Sequence, residues 1–246
     1  MIVMIILLCW CKSNGAGNAR VPPLIFLVVC ANILYIEGCG GIMAGTENWE
    51  QQFQNNEIII NLSTEPVSLQ NKTDDKNTFR NKIHAITKYS PYIITNTCFI
   101  DINYYCQYDK RYKNHGAYDI DNIVKPILDS LNGNDGIIID DCLFDRVDIN
   151  WIDKNGDDEL NIRLYSLELL YIKKDKLIIY KNNNWCLPFQ NVNSNDIDII
   201  NKYFETWNKI QNNTDYYEYI RLLPIQRFIP YNKLKDKSYK FIDINI

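Results

Sequence analysis

A chain of 246 residues that is 46% hydrophobic and 23% charged has the usage of an ordinary globular protein, enough for one large domain or two small ones. That excludes a collagen, a low-complexity polymer and a wholly disordered chain. At this length a fold buries roughly 70–75% of the unfolded surface, so no metal or disulfide staple is needed and any metal is suspected of chemistry. A net charge of −4 argues against a histone-like binder of nucleic acid, yet a local site can still meet a polyanion through metal ions.

Composition shifts near residue 45. The first 45 residues hold six of the ten glycines and only three charges, Lys12, Arg20 and Glu37. Their apolar runs, Ile2 to Cys11 and Leu24 to Ile36, are each shorter than the roughly 20 residues that cross a bilayer as a helix. The first run has no positive residue ahead of it and no clean small-residue cleavage site after it. We therefore expect translation to start at Met43, with a signal or anchor as the alternative reading, and we expect a cytoplasmic protein that does not engage a membrane. Four of the eight cysteines (Cys9, Cys11, Cys30, Cys39) fall in this segment, and Cys98, Cys106, Cys142 and Cys186 are far apart. With no Cys-x-x-Cys pair and with His84 and His115 isolated, they read as reduced residues and not as zinc ligands.

From residue 57 the pattern becomes readable. Glu57 to Leu62 is a short β-branched strand, and a loop from Ser63 to Lys72 leads to a helix from about Asp74 to Tyr89 with Phe79, Ile83 and Ile86 on one face, ended by Pro91. Cys98, Ile100, Ile102 and Tyr104 alternate with Phe99, Asp101 and Asn103, the period of a strand with one buried face. A basic loop, Lys110 to Lys113, precedes a helix from about Asn122 to Leu131, capped by Asn122 or Asp121. A short strand Ile137 to Ile139 and a strand carrying Val147, Ile149 and Trp151 follow. Asn155-Gly156 predicts a hairpin turn back into Leu160, Ile162 and Leu164. Beyond Tyr165 we expect a hairpin over Lys173 to Trp185 and a helix from about Asp196 to Ile210, whose Ile197, Ile200, Phe204, Trp207 and Ile210 form a packing stripe. The sum is an α+β (α/β two-layer) fold: a mixed β-sheet with two main helices, plus a C-terminal α/β extension. The division expected is an apolar segment 1–45, a domain over 52–165 and an extension over 166–246.

The chemistry concentrates in Tyr118-Asp-Ile-Asp-Asn-Ile-Val-Lys-Pro-Ile-Leu-Asp-Ser-Leu-Asn-Gly133 and Gly136-Ile-Ile-Ile-Asp-Asp141. Asp119 and Asp121, two apart, point to one side in extended backbone. Asp140 and Asp141 end an apolar strand, and a sheet that sets this strand beside the helix start brings further carboxylates to the same place. Oxygen ligands without His or Cys suit Mg²⁺, with Mn²⁺ as the alternative. Lys125 lies one helical turn after Asp121, where a cation can neutralise charge developing on a phosphate. The bland reading of the same aspartates is caps and solvated turns. Asp153 to Asp157 begins like a calcium loop, but Asp158 and Leu164 stand where Gly and Glu are required, so a turn explains it better. The histidines have no Ser or Cys partner motif nearby for a nucleophilic triad.

The order Asp119, Asp121, Asn122, Lys125, Asp129 and Asp140-Asp141 resembles the hallmark of the RusA family of Holliday junction resolvases. More weakly, Ile58 to Gln70, with Pro66-Val-Ser-Leu-Gln, resembles that family's first strand and substrate-side loop, so the resemblance covers roughly residues 57 to 165. It implies a RusA-like fold in which Asp119, Asp121 and Asp141 are metal-binding catalytic carboxylates and Lys125 the catalytic lysine, with Asp140 a further metal-binding neighbour and Asp129 a supporting residue. It implies an endonuclease that acts as a homodimer on branched DNA with Mg²⁺, cuts symmetrically in recombination and repair, and uses no small-molecule cofactor. The usual members are short and basic, whereas residues 52–165 here carry 18 acids against 12 bases. The phosphate contacts expected are Lys72, Lys76, Arg80 and Lys82 near the first helix, and Lys110, Arg111 and Lys113. The rival from another class is a noncatalytic DNA-binding or protein-interaction module that keeps the fold.

Overall fold

The computed structural model describes residues 48–113, 119–191, 197–212 and 227–244. The described residues all fall in one compact unit. The apolar segment 1–45, with the start expected at Met43, lies outside the described residues, as do His115 and the side chains of Arg111 and Lys113.

The architecture is α+β, as the alternation of strand and helix patterns implied. A helix α1 (Trp49–Gln54) leads into strand β1 (Glu57–Leu62), helix α2 (Thr73–Thr87), strand β2 (Tyr92–Ile94), strand β3 (Cys98–Cys106), a short helix α3 (Tyr108–Lys113) and helix α4 (Ile120–Ser130). Strands β4 (Phe144–Asp153) and β5 (Glu159–Tyr165) complete a four-stranded mixed sheet in the order β1-β5-β3-β4, in which β3 runs parallel to β4 and antiparallel to β5. Cys98, Ile100, Ile102 and Tyr104 are buried, while the residues between them face outward. Under the buried face lie Phe79 and Ile83 of α2 and Ile123 and Ile127 of α4, in one apolar core with the strands. The outer face is polar: Asn61, Asn161, Asn103 and Asn150 stand level across all four strands.

Three local expectations are corrected. The basic stretch at Lys110 is not a loop, because its backbone closes into α3. Ile137 to Ile139 is not a ladder strand: it is held by isolated parallel bridges, Ile138 facing Ile94 and Asn132. The turn at Gly156 exists, with φ +103°, but it does not make a hairpin, since β5 crosses to the far side of β3 and inserts beside β1. The physical reason lies in the side chains. Leu160, Ile162 and Leu164 are fully buried and suit a central strand, whereas β4 exposes Asp145 to Asp148 and suits an edge.

The described residues after β5 form a second layer. Strand β6 (Tyr171–Lys173) pairs with β2, and strands β7 (Leu177–Asn182), β8 (Trp185–Gln190), β9 (Ile229–Pro230) and β10 (Phe241–Asp243) form a sheet in the order β10-β7-β8-β9. Here β7 and β8 are the hairpin the sequence predicts, turned at Asn183 with φ +53°. Helix α5 (Ile197–Asn212) buries Ile200, Phe204 and Trp207 against Ile178, Tyr180 and Leu187, so its apolar stripe is packing. A short helix α6 (Tyr231–Leu234) precedes β10. Among the described residues no helix is long and apolar enough to cross a membrane.

Candidate active site

Helix α4 builds the site, and its own irregularities aim it. Asp119, in extended backbone, is the N-cap, and its side chain makes no capping hydrogen bond. The cap therefore falls two or three residues earlier than expected, and it leaves the Asp119 carboxylate unspent. Asp121, in the first turn, is exposed. Pro126 sits inside the helix, and a proline has no N–H to offer the carbonyl four residues back. That carbonyl, on Asn122, accepts instead from the backbone N–H of Leu69 at 2.8 Å. The helix-breaking residue thus ties the Pro66 to Gln70 loop to the turn that carries Asp121.

After α4 the chain reverses sharply to bring the second pair of carboxylates back. Ile137 and Ile138 both donate to the Leu131 carbonyl, at 2.8 and 3.2 Å. A Cβ on Gly136 would lie 2.1 Å from that same carbonyl oxygen, so only glycine fits so close an approach. Ile137, Ile138 and Ile139 are fully buried, and they deliver Asp140 and Asp141 to the edge of α4.

The two neighbours then have opposite fates. Asp141 Oδ2 accepts from Lys125 Nζ at 2.5 Å, and the same amine reaches Asp129 Oδ1 at 2.5 Å. Lys125, Asp129 and Asp141 are 48%, 36% and 16% exposed in their side chains, so this triad opens to solvent. Burial pulls the Lys125 amine down, but the two carboxylates outweigh it and raise its pKa above the usual lysine value. At neutral pH it is an ammonium. Asp140, by contrast, is only 3% exposed. Its Oδ1 accepts from the Cys142 N–H at 3.1 Å, capping a single 3-10 turn (Asp141–Leu143), and its Oδ2 accepts from Lys237 Nζ at 2.6 Å. Burial works to raise this carboxyl, yet the Lys237 and Cys142 hydrogen bonds overcome it and hold it below the usual range.

Among the described residues no group of three or more carboxylate, His or Cys side chains stands ready to hold a metal ion. Among the described residues the ion pairs at the site join Lys125, Asp129 and Asp141 and do not include Asp119 or Asp121. All four acids are carboxylates, the donor type that a hard divalent cation takes.

The candidate phosphate contacts are spread more widely. Lys72 is exposed before α2, Lys76 Nζ holds the Leu69 carbonyl at 3.2 Å, and Lys82 Nζ holds Thr64 Oγ1 at 2.8 Å. Arg80 is half-buried. Lys76 and Lys82 border the loop that Leu69 ties to α4, beside an open groove of about 440 Å³ lined by Pro66, Asp75, Phe79 and Lys82. Lys110 is committed to Asp158 at 2.7 Å and Glu65 at 3.3 Å. Asp158 also accepts from the buried Tyr104 hydroxyl, so this cluster holds α3 against the sheet.

Lys237 has no sequence signal, because it meets Asp140 across a separation of 97 residues. The same is true of Arg146, Arg163 and Tyr165, which gather around Asp101 on the outer sheet face.

The acidic segment and its geometry fall inside a family-level match. Residues 66–165 match the family described as Endodeoxyribonuclease RusA, while no curated protein matches the chain. Over those residues the chain is similar to the RusA endodeoxyribonucleases, a family of nuclease hydrolases that act on DNA.

Proposed function

We propose that the chain is a divalent-metal-dependent, structure-specific endonuclease that resolves four-way DNA junctions by paired symmetric nicks. One observation carries this reading: Asp129, one turn along α4, and Asp141, brought back by the reversal after it, converge on Lys125 inside the segment that matches a family of junction-resolving nucleases. Nucleases of that family generally depend on a divalent metal. Asp119, Asp121 and Asp141 would hold Mg²⁺ or Mn²⁺. When bound, the metal supplies a Lewis acid and an activated water.

The chain's own residues set the rest. Lys125, kept as an ammonium by its carboxylates, is suited to a fixed positive charge that stabilises the phosphate as charge builds on it, and unsuited to act as a base. Asp129 holds that amine in place from the next turn of α4. The loop tied by Leu69 to Asn122, with Lys72, Lys76, Arg80 and Lys82 along it, supplies the phosphate contacts. Arg111 and Lys113 would add to them, whereas Lys110 serves the fold. A homodimer would present two such sites to opposed strands. In this reading residues 52–165 form the nuclease and 166–246 an extension that supports it. The free Cys98, Cys106, Cys142 and Cys186 agree with a reducing, cytoplasmic setting.

The test is cleavage of a labelled four-way junction by the full chain in Mg²⁺, in EDTA, and by Asp121→Asn and Lys125→Met. Paired symmetric nicks that vanish in EDTA and fall by about 100-fold or more in either variant are expected. A folded chain that binds the junction and leaves it intact in Mg²⁺ and Mn²⁺ overturns the reading, and identifies a noncatalytic DNA-binding module.

A further inference from the structure

The matched nuclease segment ends at residue 165, yet the turn that carries Asp140 and Asp141 is held from outside it. Lys237 Nζ donates to the Ile139 carbonyl at 2.8 Å and to Asp140 Oδ2 at 2.6 Å. The Tyr239 hydroxyl donates to the same Ile139 carbonyl at 3.1 Å, and Asn134 Nδ2 reaches back to the Ser238 carbonyl at 2.7 Å. From the other side Lys174 Nζ donates to the Gly136 carbonyl at 2.8 Å and to the Thr87 carbonyl at 2.9 Å. Thus three consecutive residues, 237 to 239, clip the loop between α4 and β4, and a fourth residue of the extension anchors its start.

These contacts have a directional consequence. Asp140 is almost sealed from water, and a buried carboxylate is retained only where it is paired and hydrogen-bonded. Lys237 supplies that pairing and leaves Asp140 Oδ1 free to cap the turn that aims Asp141 at Lys125. Without Lys237 the carboxylate would seek water or another cation, and the nearest route is to rotate the 140–142 turn, which moves Asp141 off Lys125. Other packing would keep the loop folded, since Ile137 to Ile139 remain buried in the core.

We infer that Lys237 is a positioning residue of the nuclease site, supplied by the C-terminal extension, which holds Asp140 so that Asp141 faces Lys125. Lys237 touches neither the proposed metal ligands Asp119, Asp121 and Asp141 nor Lys125 among its hydrogen bonds, so it acts through Asp140. The extension is on this account a part of the active site and not an appendage.

The inference rests on the proposed function, and its test separates the two. The full-length wild type, Lys237→Met and Lys237→Arg are compared in junction cleavage, and Mn²⁺ binding is followed in parallel by electron paramagnetic resonance without DNA. The expected result for Lys237→Met is a kcat lower by about tenfold or more, a KM for the junction within about twofold, and Mn²⁺ affinity weakened several-fold. Lys237→Arg, which can still donate to both oxygens, recovers most of the kcat. Should Lys237→Met fail to fold, Lys237→Gln replaces it in the same comparison, because its amide remains a donor without the charge. Wild-type kcat and Mn²⁺ affinity in the Met or Gln variant overturn the inference, as does a Lys237→Arg variant that falls as far as Lys237→Met. A wild type that binds Mn²⁺ but cuts no junction overturns the proposed function, and the Mn²⁺ comparison then decides the inference alone. A wild type that neither binds Mn²⁺ nor cleaves overturns both.

Discussion

Strand β3 of the first sheet and strand β7 of the second show two ways for a strand to be buried. Along β3 burial alternates, because α2 and α4 cover one face and the other, with its row of asparagines, lies open. Along β7 Leu177, Ile178, Ile179 and Tyr180 are all buried. Leu177 and Ile179 belong to the core shared with the nuclease sheet and its helices, while Ile178 and Tyr180 belong to the cluster under α5. A continuous apolar run is what a strand covered on both faces requires, and alternation is what a half-covered strand requires. The second sheet is therefore a middle layer, with α5 on one side and the core of the nuclease fold on the other.

Removing the middle layer should have the largest effect on the fold. A chain cut after residue 165 would expose the core face that Leu169, Ile179, Cys186, Ile229 and Leu234 now cover. We expect it to lose cooperative unfolding and to be degraded rapidly by protease, where the full chain resists, since a large uncovered apolar face drives aggregation. A truncated chain with a sharp thermal transition and intact junction cleavage would show that the first sheet is sufficient alone.

A finer cut uses single side chains. Ile178→Ala and Ile179→Ala should each cost ~2–5 kcal/mol although they point to opposite faces of β7, because both faces are packed. In the first sheet the two faces should part company. Ile102→Ala, from a fully buried site, should cost a similar ~2–5 kcal/mol, whereas Ile59→Ala, 36% exposed on the outer face, should cost under ~1 kcal/mol. Urea unfolding of the four variants measures this. A cheap Ile178→Ala would mean that α5 does not hold its place over the sheet.

The same contrast explains what could be read from the sequence. The period-two signal of β3, the helical stripes of α2 and α5, and the β7–β8 hairpin were legible because each is decided by burial of nearby residues. The Asn155-Gly156 turn was legible as a turn but not as to where it leads, because strand order depends on which edge is free, and β5 takes the edge of β3 beside β1. In the site, Lys125, Asp129 and Asp141 share a motif whose spacing follows from one helix and one tight reversal. The fate of Asp140 did not follow, since it turns on Lys237, and no local pattern marks a lysine that will reach back to cap a buried carboxylate. Nor did Pro126 announce its use, because the carbonyl it frees finds its partner in Leu69, a residue of another segment.

The smallest effect is carried by Lys174, the point where the extension meets the loop after α4. Burial depresses its amine to about 8, against an ordinary value of 10.5, with Asp135 opposing the shift in part. Below pH 8 both folded and unfolded chains hold the proton, and the cost of burying the ammonium is fully present. Between about 8 and 10.5 the unfolded chain still binds a proton that the folded chain has released, so stability rises with pH across this window. Lys174→Met removes the titration along with the hydrogen bonds to Thr87 and Gly136. Its stability is lower at every pH, but the rise between pH 7.5 and 9.5 should be flatter than in wild type by on the order of 1 kcal/mol after allowance for solvent screening. Urea midpoints at the two pH values for both proteins give the difference. Parallel slopes would place the amine in water, and residues 166–246 would then grip the loop after α4 through Lys237 and its neighbours alone.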